Sequence, residues 1–135
     1  MGNSKELINL AMAEADPAKK KAFLDQGIGQ LQEALKIHPH FADALFKLGV
    51  AYHTVAVDYD RAVFYYKRAM KDAPAAAIIY SNLGAVYEIL GKQEFASYYY
   101  NKAVEVNPSF EDGVKNRDMH RKKTGLDVHV PLGPE

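Results

Sequence analysis

The sequence has no cysteine and no tryptophan, and its 17 basic and 17 acidic residues cancel in a chain of 135. Without cysteine there is no disulfide, no thiolate metal site and no cysteine nucleophile, which suits a reducing compartment. A net charge of zero creates no global attraction to nucleic acid or to an acidic membrane. No apolar run approaches the roughly 20 residues that a membrane-spanning helix needs. We therefore expect a cytoplasmic protein that neither inserts into membranes nor binds nucleic acid.

Motifs of catalytic and phosphate-binding sites are missing too. The sequence contains no glycine-rich phosphate loop, no Gly-x-Ser-x-Gly elbow and no His-Glu-x-x-His pair. His38 and His40 flank Pro39, but no third metal ligand lies near them in the sequence. We predict no catalytic residue, no metal and no cofactor, and we expect that the protein is not an enzyme.

An internal repeat organises the middle of the chain. The segment 45–52 aligns with 80–87, and the segment 62–69 aligns with 96–103. The first pair is one residue further apart than the second pair. We therefore place one extra residue between Tyr52 and Ala62, in or near 57–60, where a turn should join two helices.

The repeated residues predict closely packed helix pairs. Gly49 and Gly84 are small at places where a helix can approach a large side chain such as Tyr66 or Tyr100. A proline follows each aligned unit, and proline ends a helix because it lacks an amide hydrogen. The pattern predicts two helices in each unit.

These residues resemble the tetratricopeptide repeat, whose pattern is an aromatic residue, Leu-Gly, a tyrosine, a small residue, another aromatic and a closing proline. The resemblance implies an all-α fold, a short right-handed α-solenoid of antiparallel helix pairs. It divides the chain into a repeat domain and a tail. The domain comprises residues 1–124, with a degenerate repeat at about 3–39, repeats at 42–75 and 77–110 and a capping helix at 109–124; the extended or disordered tail comprises 125–135.

The degenerate repeat is recognised by its second helix. Asp16 and Pro17 are typical of a helix start, and the helix should reach about Ile37. Gly27 and Gly29 inside it indicate either close helix contact or a bend.

The resemblance also implies a concave groove lined by the first helix of each repeat. Such a groove binds a segment of a partner polypeptide, so we expect an adaptor or scaffold with a protein or peptide partner. The heat-shock carboxylate clamp of the family is absent. The positions that would line the groove are Asp43, Phe46, Lys47, Val50, His53, Ile78, Ser81, Asn82, Ala85 and Asn116.

Two aromatic residues suggest an alternative function. Phe64 and Tyr98 occupy equivalent places where the family commonly has a polar residue. They either form an outer contact surface, through which the protein assembles as a homo-oligomer, or are buried under neighbouring side chains.

The end of the chain leaves two further questions open. Basic residues cluster between Lys115 and Lys123, which fits either a site for an acidic partner or an ordinary helix end with favourable cations. The alternating segment 126–132 favours an extended chain. It either occupies the groove or is a passive end.

Overall fold

A computed structural model describes residues 3–134, and residues 1, 2 and 135 at the ends of the predicted domain and tail lie outside that range. The described backbone forms α-helices and one π-helical turn and contains no β-strand, so the all-α prediction is confirmed. In chain order the elements are α1 (Ser4–Ala13), α2 (Pro17–Ile37), α3 (Ala42–Ala51), the π-helical turn Tyr52–Ala56, α4 (Tyr59–Asp72), α5 (Ala77–Ile89), α6 (Gln93–Val106) and α7 (Glu111–Thr124).

The helices belong to two compact units, the first ending at Asp72 and the second beginning at Ala73. In the first unit α1 packs against α2, α2 against α3, and α3 against α4. In the second unit α5 packs against α6, and α7 contacts both. Each unit is therefore built from helices that are neighbours in the sequence.

The second helix begins and ends where the sequence predicts. Asp16 is extended, with φ −76° and ψ 119°, and Pro17 is the first residue of α2. Proline is tolerated there because the first turn has no hydrogen bond for its missing N–H to make. A Cβ on Gly27 would lie 3.1 Å from Cγ1 of Ile8 in α1, whereas Gly29 has no neighbour within 4 Å. Gly27 therefore marks close helix contact.

Each of the two aligned helix pairs is joined by a glycine packed on a tyrosine ring. A Cβ on Gly49 would lie 2.4 Å from Cδ1 of Tyr66, and a Cβ on Gly84 would lie 2.7 Å from Cδ1 of Tyr100. Carbon atoms in contact are normally about 3.5–4.0 Å apart, so only glycine fits at either place. The predicted pairing of small and large residues is confirmed.

The core of the first unit joins α1, α2 and α3. Its buried members are aliphatic or small, and partly buried aromatic rings such as Phe23 and Tyr52 pack around them. The cluster consists of Ile8, Ala11, Leu24, Leu31, Ala44, Leu48, Ala51 and Val55. Because α1 contributes to this core, the degenerate start of the sequence is an integral part of the first unit.

The extra residue of the first aligned unit lies earlier than the sequence suggested. In α5 the helix ends normally, with Gly91 in the left-handed region at φ 78° and the amide of Lys92 donating to the carbonyl of Tyr87 at 2.9 Å. This is the usual closure of a helix by a left-handed residue.

In the first unit the same closure contains one more residue. The carbonyl of Tyr52, the equivalent of Tyr87, accepts from Val57, which is left-handed at φ 55°, and from Asp58 at 2.9 Å. Val57 is thus equivalent to Gly91, and the extra residue lies between Tyr52 and Val57. The π-helical turn accommodates it, so the extra residue lies in the predicted interval between Tyr52 and Ala62 but just before 57–60 and not within it.

The chain after α7 is extended and lies against α6. Gly125 closes α7 with φ 75°, as predicted, and its amide donates to the carbonyl of Arg121 at 2.8 Å. The amide of Val128 then donates to Oγ of Ser97 in α6 at 2.8 Å. Asp127 and Val128 therefore dock on the second helix of their unit and not on its first-helix surface.

Candidate peptide-binding surfaces

The first candidate surface is a cleft between α1 and α3. Its volume is about 420 Å³, and α3 contributes four of the residues that the sequence assigned to a groove. Phe46, Lys47 and Val50 are half-buried and Asp43 is exposed. The full lining is Lys5, Ile8, Asn9, Met12, Asp43, Phe46, Lys47 and Val50. The cleft therefore combines apolar side chains with two ammonium groups.

The charges of the cleft are loosely paired. Nζ of Lys47 lies 2.9 Å from Oδ2 of Asp43, one helical turn away. Such solvated pairs contribute about 0–1 kcal/mol, so a carboxylate from another molecule can replace Asp43 at small cost. The cleft is suited to a segment that carries apolar side chains and an acidic group.

His53 does not line this cleft. It lies in the π-helical turn, with Nδ1 3.1 Å from the hydroxyl of Tyr66. Burial lowers the pKa of His53, so the neutral ring is favoured. The geometry gives His53 a role in holding Tyr66 against Gly49.

The second candidate surface is formed by α5 in the second unit. Ile78 is 45% exposed, and Asn82 and Ala85 are half-buried. Ser81 is almost fully buried, and its Oγ accepts from Nδ2 of Asn116 in α7 at 3.0 Å. Ser81 and Asn116 therefore bind each other, which leaves Ile78 as the most exposed apolar side chain of the predicted set.

Comparison with known families decides what the helix pair of the second unit is. The profile of the tetratricopeptide repeat (TPR) family matches residues 77–110. The chain contains a tetratricopeptide repeat. The matched segment includes α5, α6 and the contact between Gly84 and Tyr100, so the resemblance drawn from the sequence is confirmed.

Solved structures of similar fold cover most of the chain. A thermophilic TPR protein of Thermus thermophilus has a TM-score of 0.80 and 24% identity over 87% of this chain and 59% of its own. MamA has a TM-score of 0.68 and 22% identity over 92% and 70%. An O-GlcNAc transferase of Thermobaculum terrenum has a TM-score of 0.68 and 21% identity over 93% and 24%. These similarities establish an all-α helical-repeat fold.

A curated relative is similar in sequence as well. Protein bimA of Emericella nidulans is 29% identical over 85 residues, which is 63% of this chain and 10% of bimA. The chain thus spans about a tenth of that relative and less than two thirds of the Thermus protein. The similarity therefore covers only part of each of those proteins.

The TPR pattern did not reveal the residues that α1 contributes to the cleft. Lys5, Ile8, Asn9 and Met12 line it, and Met12 is 50% exposed. In the first helix of the degenerate repeat, residues 7–11 resemble the start of the motif but no tyrosine follows, so no groove residue was predicted there. An amphipathic pattern in α1, with Leu7, Ile8 and Ala11 buried, was the only available signal.

The outer aromatic residues differ from each other. Phe64 is 54% exposed, with its ring against Tyr65 and the guanidinium of Arg68 5.7 Å from its centroid. Tyr98 is half-buried, with its ring against Tyr99. Of the two, Phe64 offers the larger surface to a partner.

Cations of α7 are partly neutralised within the second unit. Arg117 pairs with Asp118 at 2.9 Å, Arg121 with Asp127 at 2.8 Å, and Lys123 with Glu88 at 3.3 Å. These pairs favour the interpretation of the basic cluster as a helix end over that of an acidic-partner site.

Residues 3–134 contain neither a potential metal site nor a potential membrane-spanning helix. No three histidine or acidic side chains come together there as a potential metal site. No helix in this part of the chain has the length and apolar character needed to cross a membrane.

Proposed function

We propose that this chain is a protein-interaction module, acting as an adaptor or scaffold, whose first-helix surfaces bind a segment of a partner polypeptide. The observation that carries the proposal is the cleft between α1 and α3, where Phe46, Val50 and Met12 lie beside Lys5 and Lys47. TPR folds present such surfaces to extended or helical segments. The proposed activity is binding and not catalysis.

The chemistry of the cleft specifies the kind of segment. Apolar burial contributes about 25 cal/mol per Å², so apolar side chains of the partner supply most of the affinity. Lys5 and Lys47 select a segment with an acidic residue, because each ammonium can donate to a carboxylate. On the second unit, Ile78 and Ala85 supply apolar contact and Asn82 a polar anchor.

Photo-crosslinking from inside the cleft tests this proposal. Phe46 is replaced by benzoylphenylalanine, and the same replacement at Phe64 is the matched control, since Phe64 is an aromatic residue of the same unit outside the cleft. Illumination in a cell extract should give adducts with a partner at position 46. Circular dichroism should show unchanged helix content in both variants.

Charge reversal makes the experiment specific. Lys5→Glu together with Lys47→Glu should reduce the adducts at position 46 at least severalfold, because both cations face the cleft. Two results would show that the cleft is not the binding surface. One is adducts at position 64 but not at position 46, and the other is an unchanged yield of adducts at position 46 after charge reversal.

The second candidate function is self-assembly through the outer aromatic residues, which the exposure of Phe64 favours. Exposed apolar side chains of this size are enriched at contact surfaces. Sedimentation over a concentration series should then show a dimer that Phe64→Ser dissociates. A monomer at every practical concentration would exclude this function.

The remaining helices are proposed to derive from the same repeat. The contact between Gly49 and Tyr66 reproduces that between Gly84 and Tyr100, which supports a second repeat at 42–75. Residues 3–39 and 109–124 would be the degenerate repeat and the capping helix, within a repeat domain that ends at residue 124.

A further inference from the structure

The main chain of Val128 anchors the segment after α7 to α6. The amide of Val128 donates to Oγ of Ser97 at 2.8 Å, and its carbonyl accepts from Nδ2 of Asn101 at 2.9 Å. Ser97 and Asn101 lie one turn apart on α6, so both point to the same face. Together they satisfy both polar main-chain groups of one extended residue, as a neighbouring β-strand would.

The residue before Val128 is recognised through its side chain. Oδ1 of Asp127 accepts from Nδ2 of Asn101 at 3.0 Å and from Nη2 of Arg121 at 2.8 Å. Nε2 of His129 lies 2.8 Å from the same oxygen. The hydrogen bond with His129 is the main cause that lowers the pKa of Asp127, and the bonds with Asn101 and Arg121 add to it. The position therefore favours a charged carboxylate.

Two apolar side chains of the segment turn toward the protein, and a third, that of Val130, is exposed. Leu126 and Val128 are half-buried, whereas Asp127 and His129 are exposed. Leu126 borders a cleft of about 440 Å³ beside Gly91 and Phe95. This alternation is that of an extended strand with one apolar face.

The polar residues that hold the segment do not recur at the aligned positions of α4. Ser97 is 3% exposed and Asn101 is 5% exposed. The aligned positions in α4 are Val63 and Lys67, so the repeat does not require this pair of polar residues. Burying a polar group is unfavourable unless it is hydrogen-bonded, and the segment provides those bonds. The pair is thus explained by binding an extended chain.

Arg121, which contacts Asp127 beside Asn101, has one nitrogen without an acceptor among the described residues. Nε of Arg121 is buried, and no group in the described part of the chain accepts a hydrogen bond from it. Arginine binds carboxylates most strongly when two of its nitrogens donate in parallel. The carboxylate of Asp127 accepts only from Nη2 of Arg121, so Nε can still donate to a carboxylate that binds both nitrogens.

We propose that Ser97, Asn101 and Arg121 form a second recognition site, on α6 and α7, for extended segments in which an acidic residue precedes an apolar one. Residues 126–130 are its resident occupant. A segment of the same chemistry supplied by another molecule competes for the site. The proposal does not depend on the cleft between α1 and α3, which lies in the first unit.

A labelled peptide provides the test, with the sequence of residues 125–132 as the probe. A tethered segment has an effective concentration in the millimolar range, so the resident segment must first be weakened. Asp127→Lys in the full chain does this, because the new cation repels Arg121 while the exposed position leaves folding intact. Fluorescence anisotropy should show saturable binding to this variant and at least tenfold weaker binding to the unmodified chain.

Three variants establish where the peptide binds. Asn101→Leu, added to the Asp127→Lys chain, removes the donor to residue 127 and Val128 at similar side-chain size and without a charge that could pair with the lysine introduced at position 127, and should weaken binding at least tenfold. Ser97→Ala removes one acceptor and should weaken binding roughly threefold or more. Glu105→Ala is the matched control, since Glu105 is an exposed residue of the same helix, and should change nothing.

The peptide itself has a control, in which lysine replaces the residue equivalent to Asp127. Failure of this control peptide to bind supports recognition of the carboxylate. The proposal is overturned if the Asp127→Lys chain shows no saturable binding, or if Asn101→Leu and Ser97→Ala both bind as well as their parent while circular dichroism shows them folded.

Discussion

The contact between Gly49 and Tyr66 should make Gly49→Ala destabilising. The added Cβ would lie 2.4 Å from Cδ1 of Tyr66, more than 1 Å inside normal contact, and both residues are buried. Overpacking of a close-packed core costs typically about 1–3 kcal/mol. Alanine recovers up to about 1 kcal/mol of helix propensity, so we expect a net loss of up to about 2 kcal/mol in the free energy of unfolding.

Gly29→Ala is the matched control for this prediction. Gly29 also lies inside a helix, but a Cβ there meets nothing within 4 Å. We expect this substitution to stabilise the protein by about 0.5–1 kcal/mol through propensity alone. Urea unfolding followed by circular dichroism measures both variants. Equal effects of the two substitutions would refute the argument, because only the packing around the glycine distinguishes them.

Three further predictions concern the second unit. Burial lowers the pKa of His120, so below about pH 6.5 the unfolded chain binds a proton that the folded chain does not. The free energy of unfolding, measured with urea, should therefore decrease as the pH is lowered. The decrease should be less steep in His120→Gln. Burial raises the pKa of Tyr99 to about 12, so stability should fall as pH rises from about 10 to about 12, and Tyr99→Phe should reduce that fall in alkaline unfolding curves. A Cβ on Gly91 would meet no atom within 4 Å, but the residue has φ +78°, a left-handed conformation that is unfavourable for alanine. Gly91→Ala should therefore lower the free energy of unfolding, measured with urea, by about 1 kcal/mol. An unchanged free energy of unfolding would contradict this reasoning.

The repeat was readable from sequence because its determinants are local and recur. Gly49 and Gly84 align with each other, as do Tyr66 and Tyr100, and a contact that occurs twice can be found by self-comparison. The start of α2 at Pro17 was equally readable, since proline acts on the backbone of its own residue and its neighbours. These features need no knowledge of distant contacts.

The site was only partly predictable. Asp43, Phe46, Lys47 and Val50 were placed together through the repeat, and the structure brings them to one cleft. The contribution of α1 was missed because its register is set by packing on α2 and not by a motif. Nothing in the sequence excluded Ser81 from the groove, because its burial depends on Asn116, a residue of another helix.

The sequence by itself determined the helical class, the repeat and the small residues at its helix contacts, because propensity, periodicity and side-chain volume act within a few residues. Only the tertiary structure decided the position of the extra residue, which a π-helical turn absorbs before Val57. It also decided that the segment after α7 docks on Ser97 and Asn101. Both outcomes depend on hydrogen bonds whose partners are chosen by the geometry of the folded chain, and side-chain identities alone do not specify that choice.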